Sequence, residues 1–191
     1  MPEYRRWFVP GGTYFFTVVT KQRAPLFRNE HARHLLRESF AKIRRNRPFE
    51  INDMVLLPDH LHTIWTLPPG DADFSTRWSM VKRLFTQAWL TESGGEQIVS
   101  SSQARRRRRG VWQRRFWEHV VRHEQDYIQH CDYIHYNPVK HGLADCPHAW
   151  PYSSFARFVA ERRYAADWCC TCEGRQLLPP TFDSVKETAI E

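Results

Sequence analysis

The chain has 191 residues, of which 41% are hydrophobic and 14% aromatic; this suits one domain with a real core and excludes an intrinsically disordered chain. A formal net charge of +7, from 28 Lys and Arg against 21 Asp and Glu, points to an anionic partner, nucleic acid first among the candidates. No run approaches the roughly 18 apolar residues of a membrane span, and Met1 to Arg6 lack the apolar core of a signal peptide, so a reduced, cytoplasmic setting is expected.

In chain order, Tyr4 to Val9 is a short basic and aromatic stretch that ends at Pro10-Gly11-Gly12. Thr13 to Thr20, rich in aromatic and β-branched residues, predicts a strand. A helix is expected from Asn29 or a neighbour to about Asn46, with Leu35, Leu36, Phe40 and Ile43 at core spacing and Pro48 marking its end. Strands over 49–57 and 60–67 flank the Pro58-Asp59 turn signal as a hairpin, closed by Pro68-Pro69-Gly70. Asp73 or Ser75 caps a second helix over about 75–91 that carries Trp78, Val81, Leu84, Phe85 and Ala88 on one side. Lys82 and Arg83 fall off that stripe, where a charged partner would meet them.

Residues 91–110 change character, with Gly94-Gly95, Ser100-Ser101-Ser102 and unbroken arginine from Arg105 to Arg109, and read as a long mobile loop or disordered insert. Val111-Trp112-Gln113 is the expected fourth strand. Glu118 to about His141 reads as helical, in one piece or two, and Ser153 to Tyr164 as a short helix. Residues 1–164 then form one domain, followed by a weakly ordered tail over 165–191. This order of elements predicts an α+β fold, a ferredoxin-like or RRM-like α/β sandwich with an antiparallel sheet and an additional helix.

Candidate chemistry begins at His60-Leu61-His62. On a strand the two imidazoles point the same way, with Cα atoms roughly 6–7 Å apart, and can converge on one metal ion; two polar residues on a wet face would give the same pattern. In the later helix, Tyr127, Ile128, Cys131 and Ile134 make an apolar stripe, and Tyr133 and Asn137 stack beside it, four residues apart. Pro138 disfavours the α conformation at Asn137, so the helix is expected to end or kink there, or to restart with Asn137 as a cap. Arg5, Arg6 and Trp7, like Arg114, Arg115, Phe116 and Trp117, interleave charge with rings, as single-stranded nucleic acid sites do; core rings beside solvated arginines fit equally well. The five cysteines are odd in number and imply no disulfide framework. Cys169-Cys170-Thr171-Cys172 contains one C-x-x-C spacing, so a zinc site would also need Cys146 or His148.

His60-Leu61-His62 has the form of the HUH motif, and the run from Asp132 to Leu143 resembles the tyrosine segment of single-tyrosine HUH transposases. More narrowly, Tyr4-Arg5-Arg6 before Gly11-Gly12-Thr13, Leu57 to His62, Trp112 to His119 and Asn137-Pro138-Val139-Lys140 resemble the REP-associated tyrosine transposases, over about residues 3–164. The insert over 91–110 and the cysteine-rich tail depart from that pattern.

The resemblance implies Tyr133 as the nucleophile, His60 and His62 as ligands of Mg²⁺ or Mn²⁺, and Asn137 in the place of a third, amide-type ligand. The implied reaction is cleavage and rejoining of single-stranded DNA at repetitive extragenic palindromic (REP) hairpins, through a 5′-phosphotyrosine, in a cytoplasmic, nucleoid-associated setting. Tyr4, Arg5, Arg6, Trp7, Lys82, Arg83, Arg114, Arg115 and Lys140 are the candidate DNA contacts. Competing readings are a non-catalytic hairpin-binding module and a metal-dependent nuclease that uses water; Tyr136 and Tyr127 are the alternative nucleophiles, and monomer and homodimer both stay open.

Overall fold

The computed structural model of the chain describes residues 6–92, 94–172 and 180. Four strands, β1 (Thr13–Val19), β2 (Glu50–Leu56), β3 (His60–Thr66) and β4 (Trp117–Val120), form one antiparallel sheet in the order β2-β3-β1-β4. That order is the one a ferredoxin-like sandwich requires. Helices α1 (Glu30–Asn46) and α2 (Phe74–Thr91) precede a short α3 (Ser101–Arg105); α4 (Glu124–Lys140) and α5 (Phe155–Ala160) follow the last strand.

Strand alternation sorts the core into two layers. Tyr14, Phe16 and Val18 of β1, with Leu61 and Trp65 of β3, pack under Leu35, Leu36, Phe40 and Ile43 of α1 and Phe74, Trp78, Val81 and Phe85 of α2. Trp65 and Trp78 stack there with ring centroids 4.2 Å apart. On the other face Phe15, Val55 and Ile64 meet Cys131 and Ile134 of α4 and Phe158 of α5. Register pairs Thr17 with His62 and Val19 with His60, so both histidines lie on the α4 side.

The helix starts follow capping chemistry. Asn29 accepts from the Ala32 N–H and Asp73 from the Thr76 N–H. Arg77 is buried in α2, yet its charge is met by a two-pronged pair with Asp71, at 3.0 and 2.7 Å, and by the Pro48 carbonyl.

Several expectations are corrected. Val111 to Gln113 form no strand of the sheet, contributing one bridge from Trp112 to Thr20, and the fourth strand lies at Trp117–Val120. Its pattern is hard to see because Glu118, which faces the buried layer, is charged and pairs with Arg6, Nε to Oε1 3.3 Å. The helix expected from Glu118 therefore starts only at Glu124. The predicted helix over 153–164 shrinks to Phe155–Ala160. Ile128 is 38% exposed, because the buried stripe of α4 runs through His130, Cys131, Ile134, Asn137 and Pro138, centred about 120° around the helix from it.

Pro138 neither ends nor restarts α4. The helix runs on to Lys140 and closes with the His141 N–H bonded to the Asn137 carbonyl at 3.0 Å and the Leu143 N–H to Pro138 at 2.9 Å. In the insert, Ser100 and Gln103 form a capping box on α3, and Arg109 grips Glu96, with its closest contact 2.6 Å. Of the tail, residues 165–172 and 180 are described.

Candidate active site

The site forms where α4 crosses the end of β3. Tyr133 meets the His62 ring edge-on, centroids 5.1 Å apart, and His141, at the C-terminal cap of α4, meets His60 at 5.4 Å. Positions 133, 137 and 141 are successive i, i+4 neighbours and share one side of the helix. Asn137 therefore shares the side of α4 that meets the two imidazoles, whose centroids are 4.9 Å apart at a near-perpendicular 86°. Sequence separation between the two halves is large, and the antiparallel run of α4 along β3 brings them together.

Each histidine is oriented by a neighbour. His60 Nδ1–H donates to Asp59 Oδ1 at 2.6 Å, and Thr17 Oγ1 lies 2.9 Å from His62 Nδ1. With Nδ1–H donating to the hydroxyl, His62 Nε2 carries the lone pair, the arrangement typical of metal-bound imidazoles. Burial, with the charges of His60, His141 and Lys140, holds His62 well below the usual imidazole range and keeps it neutral. Burial pushes the Asp59 carboxyl up, but the His60 hydrogen bond and Arg23, 3.0 Å away, hold it below the usual carboxylate range.

Three polar atoms test whether a cation fits. His62 Nε2 and both amide atoms of Asn137 are buried with no hydrogen-bond partner among the described residues. An unmet buried polar group costs about 1–3 kcal/mol, and a shared cation would relieve this for His62 Nε2 and Asn137 Oδ1. Two imidazoles and one amide oxygen suit a divalent ion such as Mn²⁺ or Mg²⁺ that keeps open positions for phosphate and water.

Tyr133 itself is half-buried between three neighbours. Phe15 meets it edge-on at 6.0 Å, and Lys140 Nζ stands 5.4 Å from its ring centroid. Of the alternative tyrosines, Tyr127 is turned into the second core layer, where burial pushes its phenol up.

The other candidate DNA contacts divide. Tyr4 and Arg5 lie outside the described residues. Trp7 is 72% exposed, and Arg83, Arg114 and Arg115 are exposed. Lys82 is turned inward, against expectation: its ammonium donates to the Gln113 carbonyl at 2.6 Å, and burial, aided by Arg6, lowers its pKa to about 8. Arg6 stacks on Phe116 at 4.2 Å and donates to Ser75, so it ties the amino-terminal segment to the sheet. Phe116 and Trp117 pack in the two core layers rather than forming a stacking platform for bases.

Sequence reasoning missed Asp59, Thr17 and His141. Asp59 adjoins the motif and could have been read from it; Thr17 emerges only from the strand register. It also missed His119, Asp126 and His130, whose ligand atoms lie within 4.8 Å of one another. Their nitrogens are turned onto Asp126, His119 Nε2 at 2.9 Å from its carboxylate and His130 Nδ1 at 2.8 Å from its backbone carbonyl, which makes them a hydrogen-bonded network at the start of α4. Phe15 stands between the two histidine groups, 5.6 Å from His62 and 4.7 Å from His130.

Residues 9–137, which include the histidine pair, Tyr133 and Asn137, match the family of IS200-like transposases. A REP-associated tyrosine transposase of Escherichia coli (strain K12) is 44% identical over 169 residues, 88% of this chain and 91% of that protein. A solved structure of a REP-associated tyrosine transposase bound to a REP hairpin is 41% identical, with a TM-score of 0.74, covering 95% of this chain and 98% of its own. With a family match over most of the chain and relatives this similar in sequence and fold, the chain belongs to the IS200-like transposases, in their REP-associated branch.

Proposed function

We propose that this chain cleaves and rejoins single-stranded DNA beside REP hairpins, with Tyr133 as the nucleophile. The observation that carries the proposal is the edge-on packing of Tyr133 against His62 at 5.1 Å, with the buried amide of Asn137 one helical turn further along α4. The Tyr133 phenol oxygen attacks the phosphorus of one phosphodiester. The bond to the 3′ oxygen breaks, a 5′-phosphotyrosine forms, and the 3′ oxygen leaves as a hydroxyl. A free phenol has a pKa of about 10, so its proton passes to a base or to solvent as attack proceeds. The reverse attack by a 3′-hydroxyl restores a phosphodiester, so the number of such bonds is conserved and no nucleotide cofactor is needed.

Around this step the residues have separable tasks. Lys140 places positive charge beside the ring whose oxygen is losing its proton. Asp59 and Thr17 fix the two imidazoles, and Phe15 walls the phenol from one side. His60, His62 and Asn137 would hold a divalent cation, Mg²⁺ or Mn²⁺, which when bound polarises the scissile phosphate and stabilises charge on the leaving oxygen. Trp7, Arg83, Arg114 and Arg115 are the exposed groups available for DNA. The setting is proposed to be cytoplasmic; among the described residues no helix is long and apolar enough to cross a membrane.

The test is incubation with a labelled single-stranded REP hairpin, its flanks and Mn²⁺, followed by denaturing electrophoresis. A labelled adduct that survives denaturation is the expected result. Cleavage with no adduct would indicate water as the nucleophile, and binding with neither would reduce the chain to a hairpin-binding module.

A further inference from the structure

We infer that Cys146, His148, Cys170 and Cys172 form a structural zinc site that fastens the segment after α5 to the loop after α4. Cys146 caps a 3-10 turn, Pro147–Ala149, that carries His148. The later segment is brought to it by Thr171, whose N–H and hydroxyl both donate to the Asp145 carbonyl, at 2.8 and 3.0 Å. Three donors converge as a result, and a fourth stands beside one of them. Ligand atoms of Cys146, His148 and Cys170 all lie within 4.8 Å of one another, and Cys172 Sγ is 3.2 Å from Cys146 Sγ. His148 Nδ1 is 3.6 Å from Cys170 Sγ. Tetrahedral zinc, with Zn–S of about 2.3 Å and Zn–N of about 2.0 Å, sets neighbouring ligands roughly 3.5–3.8 Å apart.

In the structure Cys146 and Cys170 are joined as a disulfide, which uses two of these four groups. A disulfide gives no reason for a third sulfur and an imidazole to gather at the same point. Zinc uses all four, and three thiols with one imidazole are a recurrent structural zinc set. A reducing compartment presents the same cysteines as thiols. Binding converts three thiols and a neutral imidazole to three thiolates and the imidazole around Zn²⁺, with release of three protons. The C-x-x-C pair visible in the sequence is not the pair used. Cys169 turns into the interior, where burial pushes its thiol up to about 11, and its backbone adopts the left-handed region, φ 52°.

This soft donor set differs from the imidazole and amide set beside Tyr133, so the two sites are separable by experiment. The site lies beyond the second core layer, where Tyr164 donates to Asp132 at 2.5 Å and Trp168 packs on Tyr164 at 4.8 Å. Zinc there would hold that packing against the outer side of α4.

The test uses the full chain, reduced and freed of metal, then given Zn²⁺ or Co²⁺ with excess metal removed. About one tightly held zinc per chain is expected in the His60→Ala, His62→Ala variant, which lacks the other candidate ligands. Cobalt should give the sulfur-to-metal charge-transfer absorption and intense visible bands of a tetrahedral thiolate site. Cys172→Ser should lower the zinc content or shift those bands. A reduced wild-type chain that holds no zinc, or a cobalt spectrum without charge-transfer absorption, would overturn the inference whether or not any variant folds. A Cys172→Ser chain with unchanged zinc and unchanged spectrum would do the same.

Discussion

Tyr133 is a half-buried phenol with an imidazole at its edge and an ammonium over its face, and each neighbour can be removed separately. Tyr133→Phe keeps the ring packing and removes only the attacking oxygen. It should abolish the covalent adduct while hairpin affinity stays within about threefold, less than 1 kcal/mol, by a gel-shift titration. The His60→Ala, His62→Ala double variant should leave cleavage undetectable in limiting Mn²⁺; wild-type rates there would remove both residues from the metal site. Thr17→Val deletes the partner of His62 Nδ1 without touching a ligand. It should raise the Mn²⁺ concentration needed for half-maximal cleavage by roughly 10–100-fold. An unchanged metal titration would mean that the hydroxyl does not orient the ring.

At the scale of elements, the position of α4 on the sheet decides whether the two halves of the site meet. A bulge between Ile51 and Asp53 turns the Asp53 carboxylate into the second core layer, where it accepts from Ser154 and lies 3.3 Å from His135 Nε2 of α4. Burial raises the Asp53 pKa to about 7, the Ser154 hydrogen bond opposing it, and burial lowers that of His135 to about 3. Because the folded Asp53 pKa lies above its ordinary 3.8, the stability it contributes is full below that value and is lost as pH rises to about 7. For His135, depressed from 6.5, the stability is present above 6.5 and is lost as pH falls toward 3. Asp53→Asn removes the first contribution alone. Its melting temperature relative to wild type should therefore climb between about pH 4 and 8, and a constant difference across that range would contradict the assignment.

Much of this scale was legible in the sequence, because apolar spacing and caps announce α1, α2 and the hairpin. Glu118 hid β4 because a buried glutamate reads as a surface residue until its arginine is known. The bulge that aims Asp53 inward leaves no mark on hydrophobic periodicity. Pro138 misled through a sound rule, since the helix tolerates the proline one turn from its end, where the loss is about one hydrogen bond.

Across the whole molecule, net charge overstates the surface available to DNA. Arg77, Lys82 and Arg6 make intramolecular contacts, and Arg109 is paired with Glu96. Arg105, Arg106 and Arg107 remain exposed in the insert, with Arg108 partly so. Changing these four to alanine should flatten the dependence of log K on log salt by roughly 0.9 for each phosphate of a hairpin stem that they neutralise. An unchanged slope would place the insert away from the DNA. The most direct measurement of the central claim is to digest the covalent protein-DNA adduct and identify the modified peptide by mass spectrometry. The phosphodeoxynucleotide should map to Tyr133; a mass shift on Tyr136 or Tyr127 would contradict the account.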